Sequence, residues 1–387
     1  MKFVSSQPPR SSYDLAVIGA GVIGLSCAWR AAQAGMSVVV LERDEPGAGA
    51  SGVAAGMLAP VTEADFGEEG LLRLNVQARE LWPGFAAELA EVSGMPTGYA
   101  DSGALVVAAD RDDVEELQRL HGYQGRLGLR SEWLGPRAAR ALEPGLSPRI
   151  GGAIDAPDEG HVDPGAVVRA LVTALENAGG RVVSGVEAEA LDTADGKVRG
   201  ARVRGSERFR AERVLVATGA WSAEGELGTE SSAPEVRPVK GQLLELRTRR
   251  GMSAPARRLI RTPRCYVVTR RREEGGATVV IGATMEEQGF DTAVTAGGVH
   301  QLLEAAYEVL PDVAELELVR ARAGLRPFTP DGHPAVGPGL IEGVFFATGH
   351  GRNGVLQAPL TARSVLELLR GGEASDFARS QDRAGAA

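Results

Sequence analysis

Cysteine and lysine are both scarce in this chain of 387 residues, and each scarcity excludes a class of protein. Cys27 and Cys265 are the only cysteines, too few for a disulfide framework or a Cys-rich zinc site. A reducing compartment is therefore expected. The only lysines are Lys2, Lys197 and Lys240, so nearly all positive charge is carried by arginine. Guanidinium groups favour fixed, forked contacts with anions over proton transfer.

Long apolar runs and blocks of basic residues are also absent. No stretch approaches the roughly 18 apolar residues of a membrane span, and the polar N-terminal leader, 1–14, lacks the apolar centre of a signal peptide. Lys and Arg total 42 against 51 Asp and Glu, which gives a net charge of −9. We therefore expect a cytoplasmic protein whose partners include neither nucleic acid nor membrane. No His or carboxylate spacing indicates a metal site.

Glycine is abundant instead, with 51 residues that follow neither the collagen period nor a linker pattern. The first cluster, at 19–24, follows an apolar run at 13–18 and opens an Ala-rich helix; a β-branched segment at 37–41 then leads to Glu42. In such a unit the glycines allow a tight turn, close approach to a pyrophosphate and helix packing. Glu42 would accept from a ribose hydroxyl and repel a 2′-phosphate, which predicts NAD or FAD rather than NADP.

Three further small-residue stretches, 47–57, 217–221 and 349–355, favour FAD over NAD because a flavin ring must be held from several segments. The last stretch opens a helix near Gly354. If that N-terminus faces the flavin, its dipole and free N–H groups stabilise the anionic reduced ring. The alternative is an ordinary Gly-rich loop before a helix.

The order of the elements predicts an α/β plus α+β fold, in which a Rossmann-type FAD-binding domain is interrupted by a mainly antiparallel substrate domain. Residues 99–109 and 312–331 are predicted to be extended, and 47–57 could be a flexible loop. The predicted FAD-binding domain comprises 13–80, 150–230 and 325–370, the substrate-binding domain 81–149 and 231–324, and a polar tail 371–387.

Several motifs in order carry a family resemblance over roughly residues 13–370. They are the fingerprint with Glu42-Arg43, Ala-Ser-Gly-Val-Ala-Ala-Gly-Met-Leu-Ala-Pro at 50–60, Gly-His-Val-Asp-Pro at 160–164, Ala-Thr-Gly-Ala-Trp-Ser at 217–222, Ala-Gly-Leu-Arg-Pro at 323–327, Asp-Gly-His-Pro at 331–334, and the last loop from Thr348 to Gly354. The chain resembles the D-amino-acid oxidase family of flavoproteins, and within it the members that oxidise glycine for thiamine synthesis.

The resemblance implies that noncovalent FAD oxidises glycine and small amines such as sarcosine or D-alanine with molecular oxygen. The products would be an imine, then glyoxylate, ammonia and hydrogen peroxide. Three alternatives stay open: another D-amino-acid or sarcosine-type oxidase, a dehydrogenase that passes electrons to a quinone, and a flavin-binding subunit without turnover. The resemblance also implies a homo-oligomer, a tetramer.

The resemblance assigns roles to individual residues. Arg326 should bind the substrate carboxylate in a fork, and Tyr266 should donate its hydroxyl to the same group. Arg352 should lie at the flavin and substrate, with its backbone near the amine, and Met57 belongs to the same catalytic and substrate-binding set. Val186 should contact the adenine through its main chain. The predicted cofactor-binding set is Gly19, Gly21, Val22, Ile23, Gly24, Glu42, Arg43, Ala50, Ser51, Ala55, Gly56, Met57, Val186, Thr218, Gly219, Trp221, Gly324, His350, Gly351, Arg352, Asn353, Gly354 and Val355.

Two positions depart from the family pattern. Members that oxidise glycine commonly have an aromatic residue between the His and Arg of the last loop, where this chain has Gly351. Sarcosine oxidases attach flavin to a cysteine before that loop, but residues 315–350 contain none. Covalent flavin is therefore not expected, whereas N-methylated substrates remain open. Alternation along the strand should turn Cys265 away from the pocket if Tyr266 faces into it.

Overall fold

The computed structural model describes residues 10–205, 207–225, 227, 233–272, 274–374 and 376–377. Most of the N-terminal leader and the end of the predicted polar tail, 378–387, lie outside the described residues.

The strands are β1 (Tyr13–Ile18), β2 (Val38–Glu42), β3 (Met57–Leu58), β4 (Ala104–Ala108), β5 (Glu132–Leu134), β6 (Gly152–Ala156), β7 (Gly160–His161), β8 (Arg181–Ser184), β9 (Ala188–Ala194), β10 (Lys197–Val203), β11 (Arg208–Val216), β12 (Arg237–Arg247), β13 (Leu259–Arg261), β14 (Tyr266–Arg271), β15 (Ala277–Gly282), β16 (Glu317–Phe328), β17 (Ala335–Pro338) and β18 (Val344–Thr348). The helices are α1 (Val22–Gln33), α2 (Glu69–Ser93), α3 (Arg111–Arg126), α4 (Pro136–Leu142), α5 (Pro164–Asn177), α6 (Ala296–Val309) and α7 (Gly354–Leu369).

The first sheet is the parallel sheet that the sequence predicts. Its order is β17-β18-β11-β1-β2-β8, with β1 parallel to both β2 and β11. β1 is almost entirely buried. Helices cover one face of the sheet, and residues of β9 and β10 pack against β1 on the other face. α1, α5 and α7 pack together on the helical face. The connection β1-α1-β2 is the Rossmann unit, and the α/β part of the predicted fold is confirmed.

The second sheet has the order β16-β12-β15-β14-β13-β4-β6-β5 and is antiparallel except for the pair β4 and β13. α6 packs on one face, in an apolar core that includes Cys265. As alternation predicts, Cys265 packs in this core while Tyr266 belongs to a cluster on the other face, although Cys265 also lines the cavity between the sheets. The other face turns toward the first sheet and forms one wall of the candidate site.

Capping and turn residues lie at several boundaries of helices and strands. Asp163 caps α5 by accepting from the Ala166 N–H at 3.1 Å, with Pro164 at the first helical position. The turn at 274–276 joins β14 to β15, and Asp195-Gly196 joins β9 to β10. None of the helices in the described part of the chain is long and apolar enough to cross a bilayer.

Two predictions of local structure were wrong in extent. The strand expected at 99–109 begins only at Ala104. The extended segment expected at 312–331 starts with a 3-10 helix, Pro311–Glu315, because Pro311 begins a turn after α6. For 47–57 the alternatives were a flexible loop and backbone that approaches a ligand. The segment contains a 3-10 helix, Ala50–Val53, and ends in β3, which favours the second alternative.

Candidate active site

A cavity of about 880 Å³ lies between the two sheets. Ligand sites of roughly 300–1,000 Å³ are usual, so this volume suits a large ligand. The fingerprint glycines lie at one end, and Arg326 and Tyr266 lie at the other. Every residue of the predicted set lines the cavity except Gly24 and Asn353. The sequence therefore identified residues that the fold brings together from eight separate segments.

The fingerprint has the geometry that a pyrophosphate requires. Gly19 has φ +106°, and a Cβ there would overlap with the Ala217 carbonyl. A Cβ at Gly24 would overlap with the Gly19 carbonyl, so this glycine allows α1 to pack on the turn, as predicted. At the N-terminus of α1, the Val22 N–H donates to Ser51 Oγ at 2.9 Å. Ser51 thus joins the second small-residue stretch to the first.

Glu42 ends β2 beside this turn. One carboxylate oxygen accepts from the Ala20 N–H at 2.8 Å and the other from the Asp44 N–H at 2.9 Å. The Val186 N–H donates to the main-chain carbonyl of Glu42 at 2.9 Å. Backbone groups therefore fix the direction of the Glu42 carboxylate and the position of Val186 at the cavity wall.

Arg43 and Trp221 form a stacked pair at the same end. The Arg43 guanidinium carbon lies 4.0 Å from the centre of the Trp221 ring, within the range of a cation–π contact. Trp221 also packs against Phe290, with ring centres 5.7 Å apart. Thr218 and Gly219 complete this wall.

The last loop places the N-terminus of α7 at the cavity, where Gly354 and Val355 line the wall. His350 is buried, and its Nε2 shares a 2.9 Å hydrogen bond with Thr361 Oγ1 in α7. Burial lowers the pKa of His350 to about 3, so the imidazole is neutral. Asn353 is buried, and its Oδ1 has no hydrogen-bond partner within the described residues.

Gly351 packs against an aromatic ring. A Cβ on Gly351 would lie 3.0 Å from Phe328 Cε1 at the end of β16. The ring of Phe328 therefore occupies the space next to Gly351 where a side chain in the last loop would extend. Gly351 itself lines the cavity, whereas Phe328 lies behind it and does not.

At the far end Arg326 and Tyr266 converge on the same sheet face. Arg326 extends from β16 across Gly241 of β12, and its Nη1 donates to the Thr284 carbonyl at 3.1 Å. Tyr266 lies over Gly282, its direct partner in β15. Burial raises the pKa of Tyr266, and the neighbouring Arg326 charge only partly opposes this. The phenol therefore keeps its proton at neutral pH.

Arg352 adds a second guanidinium to this end. Its Nη2 forms an ion pair of 2.5 Å with Glu68 and donates to the Glu63 carbonyl at 3.3 Å. Burial alone would lower the pKa of Arg352, but Glu63 and Glu68 outweigh this effect. Carboxylates thus offset the charge of Arg352, whereas the hydrogen-bond partners of Arg326 among the described residues are the Thr284 carbonyl and the Tyr266 hydroxyl. Met57 lines the cavity from β3.

Several residues that line the cavity were not predicted from the sequence. Glu63, Gly241, Thr284 and Met285 all face the cavity. Glu63 is held in a buried turn, and the other three lie on β12 or directly after β15. Their role depends on cross-strand register, which no contiguous motif encodes.

The residues present fit FAD. The turn at Gly19 admits no side chain, the N-terminus of α7 faces the cavity, and the buried Asn353 Oδ1 lacks a partner. The fingerprint would hold the pyrophosphate, Glu42 the ribose, and the stretches at 50–57 and 350–355 the ring. In the part of the chain that the structure describes, no three His, Cys, Asp or Glu side chains are grouped to hold a metal ion.

Comparisons with known proteins agree with this geometry. A glycine oxidase of Geobacillus kaustophilus is 33% identical over 373 residues, which cover 92% of this chain and 93% of that protein. Its crystal structure aligns with a TM-score of 0.86 at 32% identity, over 94% of this chain and 95% of that one. A Rhizobium etli oxidoreductase provisionally named for thiamine biosynthesis is 34% identical, over 91% of this chain and 95% of its own.

The match to a family model is equally extensive. The model of the FAD-dependent oxidoreductase family covers residues 14–368, from the start of β1 to the end of α7. It includes the whole cavity. This chain therefore belongs to the FAD-dependent oxidoreductase family of D-amino-acid oxidase, and FAD is its cofactor.

Proposed function

We propose that this enzyme oxidises glycine, and other small amines less readily, with molecular oxygen as the electron acceptor. Glycine, oxygen and water would give glyoxylate, ammonia and hydrogen peroxide through an imine. The observation that carries the proposal is the pair Arg326 and Tyr266, which converge at the end of the cofactor cavity. A cation and a phenol at that place suit one small carboxylate.

Each of these side chains has a distinct role in binding. Among the described residues the Arg326 guanidinium contacts the Thr284 carbonyl and the Tyr266 hydroxyl rather than a carboxylate, so its charge is available for a two-point contact with the substrate carboxylate. The protonated phenol of Tyr266 donates to the same carboxylate. Together they fix the carboxylate and leave the substrate's α-carbon as the next group along the cavity.

The chemistry itself needs few protein groups. Bound FAD supplies the acceptor for the hydride that leaves the substrate's α-carbon. The chain's own contribution is to orient that carbon and to bind the amine after it has lost its proton. Glu63 and Glu68 offset the positive charge of Arg352, so the charge left uncompensated for the substrate carboxylate is that of Arg326.

We propose in addition that the imine serves the synthesis of the thiamine thiazole ring, as in the thiamine-pathway members that the motifs resemble. The similarity to the Rhizobium etli oxidoreductase supports this assignment. A homo-oligomer, a tetramer by resemblance, also remains a proposal, as does the division into an FAD-binding and a substrate-binding domain.

Peroxide production tests the substrate assignment. Purified enzyme with FAD is supplied in turn with glycine, sarcosine, D-alanine and a larger D-amino acid, and peroxide is measured at steady state. The proposal predicts the highest kcat/KM with glycine. A preference for D-alanine or sarcosine would identify another oxidase of the family, and substrate-dependent reduction of a quinone without peroxide would identify a dehydrogenase.

A further inference from the structure

Two arginines of the second sheet reach across to the segment 52–56, which lines the cofactor cavity. Arg322 on β16 donates from Nη1 to the Gly52 carbonyl at 2.6 Å. Arg270 on β14 donates from Nη2 to the Ala55 carbonyl. The two strands are separated by β12 and β15, so the arginines approach the segment from different places on the sheet.

The two hydrogen bonds determine which way the peptide groups of the segment point. In a trans peptide the C=O and the following N–H point in opposite directions. Because the Ala55 carbonyl points toward Arg270, the N–H of Gly56 points away from the sheet face that holds Arg270. That N–H has no acceptor within the described residues. Ala55 and Gly56 line the cavity, where a ligand acceptor would satisfy the N–H group.

The conformation of the segment depends on this support. Gly56 has φ +82°, and a Cβ there would overlap with the Val162 carbonyl. Gly324 of β16 packs so closely on Val53 that a Cβ at 324 would be 2.9 Å from the Val53 Cβ. The segment is thus fixed by close packing at Val53 and by a guanidinium on each side of it.

Positive charge exceeds negative charge around the segment, because Arg270, Arg320 and Arg322 share the two carboxylates of Asp163 and Glu245. Arg322 shares Glu245 with Arg320, at 3.3 Å and 2.8 Å, and Arg270 is 3.7 Å from Asp163. The buried Nε of Arg270 and of Arg322 has no hydrogen-bond partner among the residues that the structure describes. The excess charge lies directly behind backbone that faces the cavity.

We propose that Arg270 and Arg322 are positioning residues for the cofactor: they hold the segment 52–56 so that its backbone N–H groups face the flavin ring, and they add positive potential behind it. Positive potential favours the more negatively charged, reduced form of a flavin. The proposal depends on FAD as the cofactor and is independent of which amine the enzyme oxidises.

Arg322→Gln tests the proposal, with Arg320→Gln as the matched control. Both arginines lie on β16 and contact Glu245, but only Arg322 reaches Gly52. The full-length apoprotein of each variant is titrated with FAD, and the midpoint potential of the bound flavin is measured. Arg322→Gln should weaken FAD binding about tenfold, the usual effect of losing one charge-assisted hydrogen bond, and should make the potential more negative. Arg320→Gln should change neither.

A folding control keeps the result interpretable. The thermal unfolding midpoint of each apoprotein, measured without FAD, should be similar for the two variants. If Arg322→Gln does not fold, Arg322→Lys replaces it, because a lysine keeps the charge but loses the forked contact. For that variant we expect weaker FAD binding with a nearly unchanged potential. A wild-type FAD affinity in the folded Arg322 variant would overturn the proposal.

Discussion

The guanidinium of Arg326 lies over Gly241 so closely that a Cβ at position 241 would overlap with both terminal nitrogens. Gly241 and Arg326 belong to adjacent strands, β12 and β16. The absence of a side chain at Gly241 thus leaves space for the guanidinium that we propose binds the substrate carboxylate. Because the overlap involves the end of a flexible side chain, the protein can relieve it by moving that end.

Gly241→Ala should therefore displace the Arg326 guanidinium with little loss of stability. We expect KM for glycine to rise at least tenfold, since about 1.4 kcal/mol of carboxylate binding is lost, while the thermal unfolding midpoint changes little. Steady-state kinetics and thermal unfolding measure the two effects separately.

Gly337→Ala is the matched control for that experiment. Gly337 also lies in a strand, β17, but no atom lies within 4 Å of the position of its Cβ. The KM of Gly337→Ala for glycine should equal that of the wild type. An unchanged KM in Gly241→Ala would mean that Gly241 does not determine where Arg326 binds the substrate.

Tyr266→Phe removes only the hydroxyl that we propose donates to the substrate carboxylate. Loss of one hydrogen bond to a charged group should raise KM about tenfold and leave kcat nearly unchanged. Tyr123→Phe serves as the control, because Tyr123 donates to Glu69 at 2.6 Å away from the cavity. A fall in kcat with constant KM would contradict the binding role and indicate a role in the chemical step.

Glu159 predicts a pH dependence of stability. Its buried carboxylate accepts from the Thr62 N–H at 2.8 Å and from Thr62 Oγ1 at 2.7 Å, which fixes the turn before Glu63. Burial raises the pKa of Glu159 from 4.5 to about 7. A raised pKa in the folded state means that the stabilising contribution is complete below pH 4.5 and is lost as the pH rises through 7.

Glu159→Gln should remove that dependence. Relative to the Gln variant, the wild type should lose about 3 kcal/mol of stability between pH 4.5 and 8. Thermal unfolding midpoints of both proteins, measured at several pH values with the same excess of FAD, give the comparison. A constant difference between the two midpoints at every pH would contradict the raised pKa.

The cofactor end of the site could be predicted from sequence because its parts are contiguous. Gly19 and Gly21 lie between β1 and α1, and Glu42 ends the next strand, β2. The spacing of these residues along the chain therefore fixes their relative positions. The family motifs then identified Arg326 and Tyr266. The sequence did not reveal why those two side chains converge, because the glycines beneath them lie on neighbouring strands. Gly282 is the register partner of Tyr266, and Gly241, the partner of Gly324, lies diagonally opposite Arg326.

The residues that support the backbone around the site could not be predicted from the sequence either. Backbone carbonyls or N–H groups far away in the chain are contacted by Arg270, Arg322 and Glu159. Such a contact requires only a charged side chain that is long enough to reach the backbone group. The ring of Phe328 beside Gly351 is another such case. Local patterns report the periodicity of one element, whereas these contacts arise only when two sheets face each other.

Anaerobic mixing with glycine tests the central claim most directly. The purified enzyme with bound FAD is mixed with glycine in the absence of oxygen, and the flavin absorbance near its visible maximum is followed. The account predicts that glycine bleaches the flavin in the wild type and that Arg326→Ala requires on the order of a hundredfold more glycine for the same effect. A flavin spectrum that glycine leaves unchanged would contradict it.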